Sequence, residues 1–208
     1  ADDHGVLGGY ASVHAADAAD SLAFARAVLG TEQRDRALDV CAGVGRVTES
    51  VLLSLARSVD LFDASDQLID AARLRLAWAG ERVRQFICVA MEDFSPAPAT
   101  YDIVWIQWCV GYLSDDDLVA FLRRCRASLA PNGVIVVKDN VVDADALSDQ
   151  EELHAGTFLV DDDDGSVIRL RPHLERLFDV SGLERVATCP SAELHCEELH
   201  PVATYVLR

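Results

Sequence analysis

The chain has 208 residues, half of them hydrophobic, which is enough for one globular domain over residues 1–208 with a substantial core. A net charge of −17 would repel a phosphate backbone, so nucleic acid is set aside as a partner and a cationic one is favoured. No apolar run approaches the ~20 residues of a membrane span, and residues 1–30 lack the basic start and apolar core of a secretory leader.

Residues 1–14 are glycine-rich and read as irregular. The pattern then predicts a helix over 17–29, with Leu22, Ala25, Val28 and Leu29 inward and Gly30 as its stop. A strand over 36–41 runs into a small-residue turn, Cys41-Ala42-Gly43-Val44-Gly45-Arg46, and a helix over 46–57 with Val47, Val51, Leu52 and Leu55 on one face. The next strand, Val59 to Asp63, ends on a carboxylate before a helix over 66–79. Further strands are read at 82–89 and 102–107, a helix capped by Ser114 over 115–129, a turn at Pro131-Asn132-Gly133, and a strand over 134–138. Residues 141–165 read as an acidic, irregular insert, followed by a helix over about 167–181 and strands at 184–189 and 199–207.

Strands alternating with helices predict an α/β fold with a mostly parallel sheet and helices on both faces. In such sheets ligands sit beyond the carboxyl ends of the strands. Asp39, Cys41, Asp63, Met91, Glu92, Gln107 and Asn140 all fall on that edge. Six cysteines are scattered without a C-x-x-C pair, as buried thiols are, which points to a reducing intracellular setting. Cys189, His195, Cys196 and His200 match no familiar zinc spacing, so no metal is expected there.

The turn after the first strand can bring backbone N–H groups and a helix N-terminus to a nucleotide-like cofactor. Asp63, with Ala64 and Ser65 after it, lies where an acid accepts ribose hydroxyls. S-adenosylmethionine is favoured over NAD on three counts. The loop lacks G-x-G-x-x-G, Asp39 precedes it and suits a cationic ligand, and Met91-Glu92-Asp93-Phe94 offers an apolar face with polar edges for adenine.

Leu7-Gly8-Gly9-Tyr10, the loop from Leu38 to Arg46, Glu92-Asp93-Phe94, Trp105-Ile106-Gln107-Trp108, Phe121 to Cys125, Pro131-Asn132-Gly133, Lys138-Asp139-Asn140 and the closing Leu207-Arg208 together resemble the eukaryotic protein N-terminal (α-amine) methyltransferases. Trp-Ile-Gln-Trp and Lys-Asp-Asn are the specific stretches, the cofactor loop being general to methyltransferases. The resemblance spans Gly5 to Arg208 and implies a Rossmann-like, seven-stranded sheet, mostly parallel with its last strand antiparallel. It also implies an N-terminal helical extension and a hairpin inserted within 141–165. The implied activity is methylation of the free α-amine of proteins beginning Xaa-Pro-Lys, in the cytoplasm or nucleus, with S-adenosylhomocysteine as product.

By the same resemblance, Cys41, Gly43 and Arg46 would meet the cofactor in the loop, Asp63, Ala64 and Ser65 at the ribose, Met91 and Glu92 at the adenine, and Gln107 at the end of its strand. The peptide channel would draw on Leu7, Gly8, Val13, Trp108, Asn140, Asp161 and His200, and the catalytic group would be Asp164 with Asn140 and Tyr112. Four departures stand out: Cys41 replaces a glycine, Tyr112 a histidine and His200 a tyrosine, and the insert is longer and more acidic. If position 41 needs φ > 0, cysteine is strained there.

An α-amine has a pKa near 7.7–8.0, so transfer requires removal of a proton and positioning of the nitrogen ~3 Å from the methyl carbon. Asp164 is the first candidate to receive that proton, with Tyr112 orienting the amine or relaying to it. Trp108 offers a ring face to a cationic N-terminus. A small-molecule methyltransferase and a non-catalytic binding module are the rival readings, and a dinucleotide oxidoreductase is a distant third.

Overall fold

The computed structural model describes residues 13–147, 153–161, 164–190 and 200–208. Among these, the strands in chain order are β1 (Arg34–Val40), β2 (Ala56–Asp63), β3 (Val83–Cys88), β4 (Tyr101–Gln107), β5 (Leu129–Asn140), β6 (Phe158–Val160), β7 (Val167–Arg169), β8 (Arg185–Pro190) and β9 (Val202–Leu207). Seven of them make one sheet in the order β3-β2-β1-β4-β5-β9-β8. Pairing is parallel from β3 through β5, and β9 runs antiparallel to both of its neighbours. The α/β sheet expected from the alternation of elements is observed, and so is the reversed last strand that the resemblance implied.

The central strands are apolar on both faces because both are covered. In β4, Ile103 to Ile106 are fully buried, Trp105 packing into one core layer and Val104 and Ile106 into the other. Strand order reverses between β1 and β4, which opens a crevice at their carboxyl ends.

The helices are α1 (His14–Leu29), α2 (Leu53–Leu55), α3 (Asp66–Arg75), α4 (Asp115–Ala127) and α5 (Arg171–Val180). Helix α4 follows its sequence signals: the Ser114 hydroxyl accepts from the Asp117 N–H at 3.2 Å, three aspartates occupy the first turn, and Leu118, Phe121, Leu122 and Cys125 face the core.

Several boundaries differ from the sequence reading. Helix α1 starts at His14, and its most buried stripe is Asp17, Ser21 and Ala25; Leu22, Val28 and Leu29 are only partly buried. The helix expected over 46–57 contains a π-helical turn, Thr48–Leu52, and ends at Leu55 because Ala56 already pairs with Arg34. Strand β5 begins at Leu129 and absorbs the Pro131-Asn132-Gly133 turn as a register shift against Tyr101; a Cβ on Gly133 would lie 2.6 Å from the Tyr101 carbonyl. The helix expected from 167 starts only at Arg171, since Val167–Arg169 pairs with Phe158–Val160. The inserted hairpin therefore reaches past residue 165, beyond the stretch assigned to it.

Candidate active site

Three left-handed residues turn the chain after β1: Cys41 at φ 50°, Gly43 at φ 55° and Gly45 at φ 80°. Cysteine thus occupies a conformation that favours glycine, the strained case expected if this position needs φ > 0. The turn is tied to β2. Ala42 N–H donates to Phe62 O at 3.0 Å, Gly43 N–H to Asp63 Oδ2 at 2.9 Å, and Ser65 N–H to Asp63 Oδ1 at 3.0 Å. Gly45 sits so close to α3 that a Cβ would lie 2.7 Å from Leu76 Cδ1. Below the loop, Asp39 accepts from Thr48 Oγ1 at 2.6 Å, and burial lifts its pKa to about 6.

The next wall follows β3. Arg124 of α4 donates to the carbonyls of Met91 (2.8 Å), Glu92 (3.0 Å) and Phe94 (2.9 Å), and Phe94 stacks on Phe62 with centroids 4.1 Å apart. The third wall follows β4. Trp108 turns at φ 53°, its N–H donating to Lys138 O at 2.9 Å, and the N–H groups of Cys109 and Val110 converge on Asp139 Oδ2 at 3.0 Å each. Burial raises Asp139 to about 6 as well. The Cys109 thiol is pushed well up by its contact with the Cys41 thiol and by burial.

These walls enclose a cavity of about 480 Å³, a size suited to a small-molecule ligand. Cys41, Gly43, Arg46 and Asp63 line it, as do Ala64, Met91, Glu92 and Gln107. Ser65 does not; it caps α3, its hydroxyl accepting from the Leu68 N–H at 3.3 Å. Trp108 and Tyr112 complete the outer wall, with the Arg46 guanidinium 5.2 Å from the Trp108 ring centroid.

The β6–β7 hairpin packs against the outer wall. A short 3₁₀ turn, Val110–Tyr112, abuts it so closely that a Cβ on Gly111 would lie 2.7 Å from Val167 O. Buried Arg169 of β7 binds this turn, donating to Val110 O at 2.8 Å, Leu113 O at 2.6 Å and Asp115 Oδ1 at 2.8 Å. The exposed Tyr112 phenol donates to Asp164 Oδ2 at 2.6 Å. That bond, with others from Ser166, outweighs burial and holds the Asp164 carboxyl below its ordinary range; burial and the same carboxylate push the Tyr112 phenol up.

Asp161 shares the hairpin loop, its N–H donating to Ser166 O at 2.8 Å. Asn140, at the end of β5, holds a buried Oδ1 that finds no hydrogen-bond partner among the described residues. Val13 is buried at the start of α1, and His200 is half-buried ahead of β9, away from the cavity wall. Leu7 and Gly8 lie outside the described residues, as do His195 and Cys196. Among the described residues no cluster of three metal-ligating side chains occurs.

Sequence reasoning missed the polar groups behind the walls. Asp17 of α1 accepts from Arg46 Nη1 at 2.5 Å, Lys138 Nζ at 2.8 Å and Gln107 Nε2 at 2.9 Å. Lys138, Asp139 and Arg169 were likewise not read as site-building. The Lys138-Asp139-Asn140 motif carried the available signal: in a strand alternate residues point to opposite faces, so Lys138 reaches α1 while Asp139 reaches the turn after β4.

Comparison with known proteins agrees with this geometry. N-terminal Xaa-Pro-Lys N-methyltransferase 1 of Danio rerio is 40% identical over 98% of this chain and 87% of its own length, and the Homo sapiens protein of that name is 38% identical with the same coverage. A solved SAM-dependent methyltransferase from Leishmania major superposes with a TM-score of 0.87 at 36% identity, covering all of this chain and 77% of that one. Residues 1–208 match throughout the family described as AdoMet dependent proline di-methyltransferase. With its strand order, its glycine-rich turn and these relatives taken together, the chain belongs to that family of S-adenosylmethionine-dependent methyltransferases.

Proposed function

We propose that this protein methylates the free α-amine of proteins beginning Xaa-Pro-Lys. The observation that carries this reading is the bond between Tyr112, on the cavity wall, and Asp164, on the hairpin, which sets an anion at the mouth. The donor set fits the cofactor: Asp63 with its carboxylate for ribose hydroxyls, Met91 and Glu92 for adenine, and Gly43, Arg46 and Gln107 for the amino-acid end. When bound, S-adenosylmethionine supplies a methyl group on a sulfonium and leaves as S-adenosylhomocysteine.

The chain's own residues handle the amine. Asp164 is ionised throughout the neutral range, so it attracts an ammonium group. It is a poor final resting place for the proton, because its carboxyl is held below the ordinary carboxylate range while an α-amine titrates near 7.7–8.0. Being exposed, it passes the proton to water. Tyr112, with its pKa raised, stays a phenol and aims that carboxylate rather than acting as a base. The Asn140 Oδ1, without a partner among the described residues, would accept from the incoming peptide backbone, satisfying a group otherwise costly to leave buried. A proline in second place has no N–H and a fixed φ, so it brings one donor fewer and a pre-set bend. The lysine after it would be drawn by a molecule of net charge −17.

The test is mass spectrometry of a Xaa-Pro-Lys peptide incubated with the protein and S-adenosylmethionine, beside an N-acetylated copy. Methyl groups on the first nitrogen of the free peptide alone are expected. No transfer to that peptide, or equal transfer to the acetylated one, overturns the reading.

A further inference from the structure

Two polar side chains on the cavity wall, Arg46 and Gln107, are held from behind by one carboxylate. Asp17 is 1% exposed and comes from α1, which precedes the first strand of the sheet. Its Oδ2 takes Arg46 Nη1 at 2.5 Å, and both oxygens take Gln107 Nε2 at 2.9 Å. Gln107 is fixed at its other end too, Oε1 accepting from the Trp105 indole at 2.9 Å, so its amide cannot turn without losing a bond. Lys138, wholly buried, supplies the balancing cation through Asp17 Oδ1 (2.8 Å), Asp20 (2.8 Å) and the Ser21 hydroxyl (2.9 Å). Arg46 Nη1 meets both Asp17 and His14, the guanidinium lies 5.2 Å from the Trp108 ring centroid, and the side chain lines the cavity.

Such a network is a poor stabilising device in itself, because buried ion pairs return little more than their desolvation cost. Its placement behind two cavity side chains gives it another use. We propose that Asp17 is a positioning residue: from the N-terminal helix it presets Arg46 and Gln107 to receive the charged amino-acid end of the methyl donor. This rests on the cofactor-site assignment made above, and it makes α1 part of the donor site.

The test compares two ligands by calorimetry. S-adenosylhomocysteine carries the amino-acid end, and 5′-methylthioadenosine lacks it. In Asp17→Asn, affinity for S-adenosylhomocysteine should fall about tenfold or more while that for methylthioadenosine stays within about twofold, because the substitution replaces an acceptor oxygen by a donor nitrogen facing Gln107 Nε2. Arg46→Gln should show the same selective loss, and the double variant little beyond either single one, as expected of groups acting as a unit. Equal weakening of both ligands in D17N, or of neither, overturns the proposal. Should R46Q show selective loss and D17N none, only the role of Asp17 fails; should R46Q also leave the ratio unchanged, the site assignment fails with it. If D17N does not fold, D17N/K138M, which removes an anion and a cation together, is read by the same ratio.

Discussion

The inner side of the cavity is fixed by strand ends, whereas its outer side hangs on a hairpin of two three-residue strands. On the inner side, Asp63, Asp39 and Asp139 are buried, and each ties a turn to the sheet through hydrogen bonds of 3.0 Å or less. On the outer side, Tyr112 is 58% exposed, Asp164 is exposed, and their mutual bond crosses from one short element to another. The difference matches the two tasks. A donor of constant structure can be met by a rigid wall, while protein termini of varied sequence must enter and leave under a roof held by few contacts.

The largest expected effect isolates the roof. Asp164→Asn should lower kcat by about 10²-fold and leave S-adenosylhomocysteine affinity unchanged, measured by steady-state kinetics and calorimetry. A parallel loss of affinity would mean that the two sides are not separable. Arg169→Met strips the 110–113 turn of two hydrogen bonds, and Asp115 of a third, all from a buried guanidinium. Stability should fall by about 3 kcal/mol and Tm by roughly 6–12 °C in thermal melts; a smaller shift would show the roof to be held elsewhere.

The inner wall has its own signature in pH. The pKa of Asp39, about 6 in the fold, exceeds the ~3.9 of an unfolded chain, so its contribution to stability is full below about pH 4 and is lost as pH rises through 6. Asp39→Asn removes that titration and should flatten the fall in stability between pH 4 and 7 by up to ~3 kcal/mol, followed by denaturant titration. An unaltered slope would assign the dependence to Asp139, raised to a similar value. Against the pull of burial, Lys138 and Arg46 hold Asp17 low, so Asp17 contributes the opposite trend only at the acid end of that range and below. The smallest effect is Cys41→Gly, which relieves a left-handed cysteine and should raise stability by about 1 kcal/mol, or roughly 2–4 °C in Tm.

Legibility in the sequence followed the same division. Strand ends could be placed because apolar runs such as Asp102 to Gln107 stop at definite residues, and the carboxyl edge then gathers Asp63, Met91 and Gln107. The roof was read poorly because three-residue strands carry no period, and Val167–Arg169 looked like the first turn of α5. Asp17 escaped for a different reason. A carboxylate within a helix's buried stripe runs against amphipathic patterning, and tertiary partners on β4 and β5 and in the turn after β1 make that position tolerable.

Lys138 is the single lysine in the 208 residues, and the fold seals its ammonium completely. An acylating reagent therefore meets no ε-amine on the native surface of this chain. Slow modification at that position would time the release of α1 from the sheet, so the molecule carries a built-in chronometer for its own opening, readable at a single ε-amine.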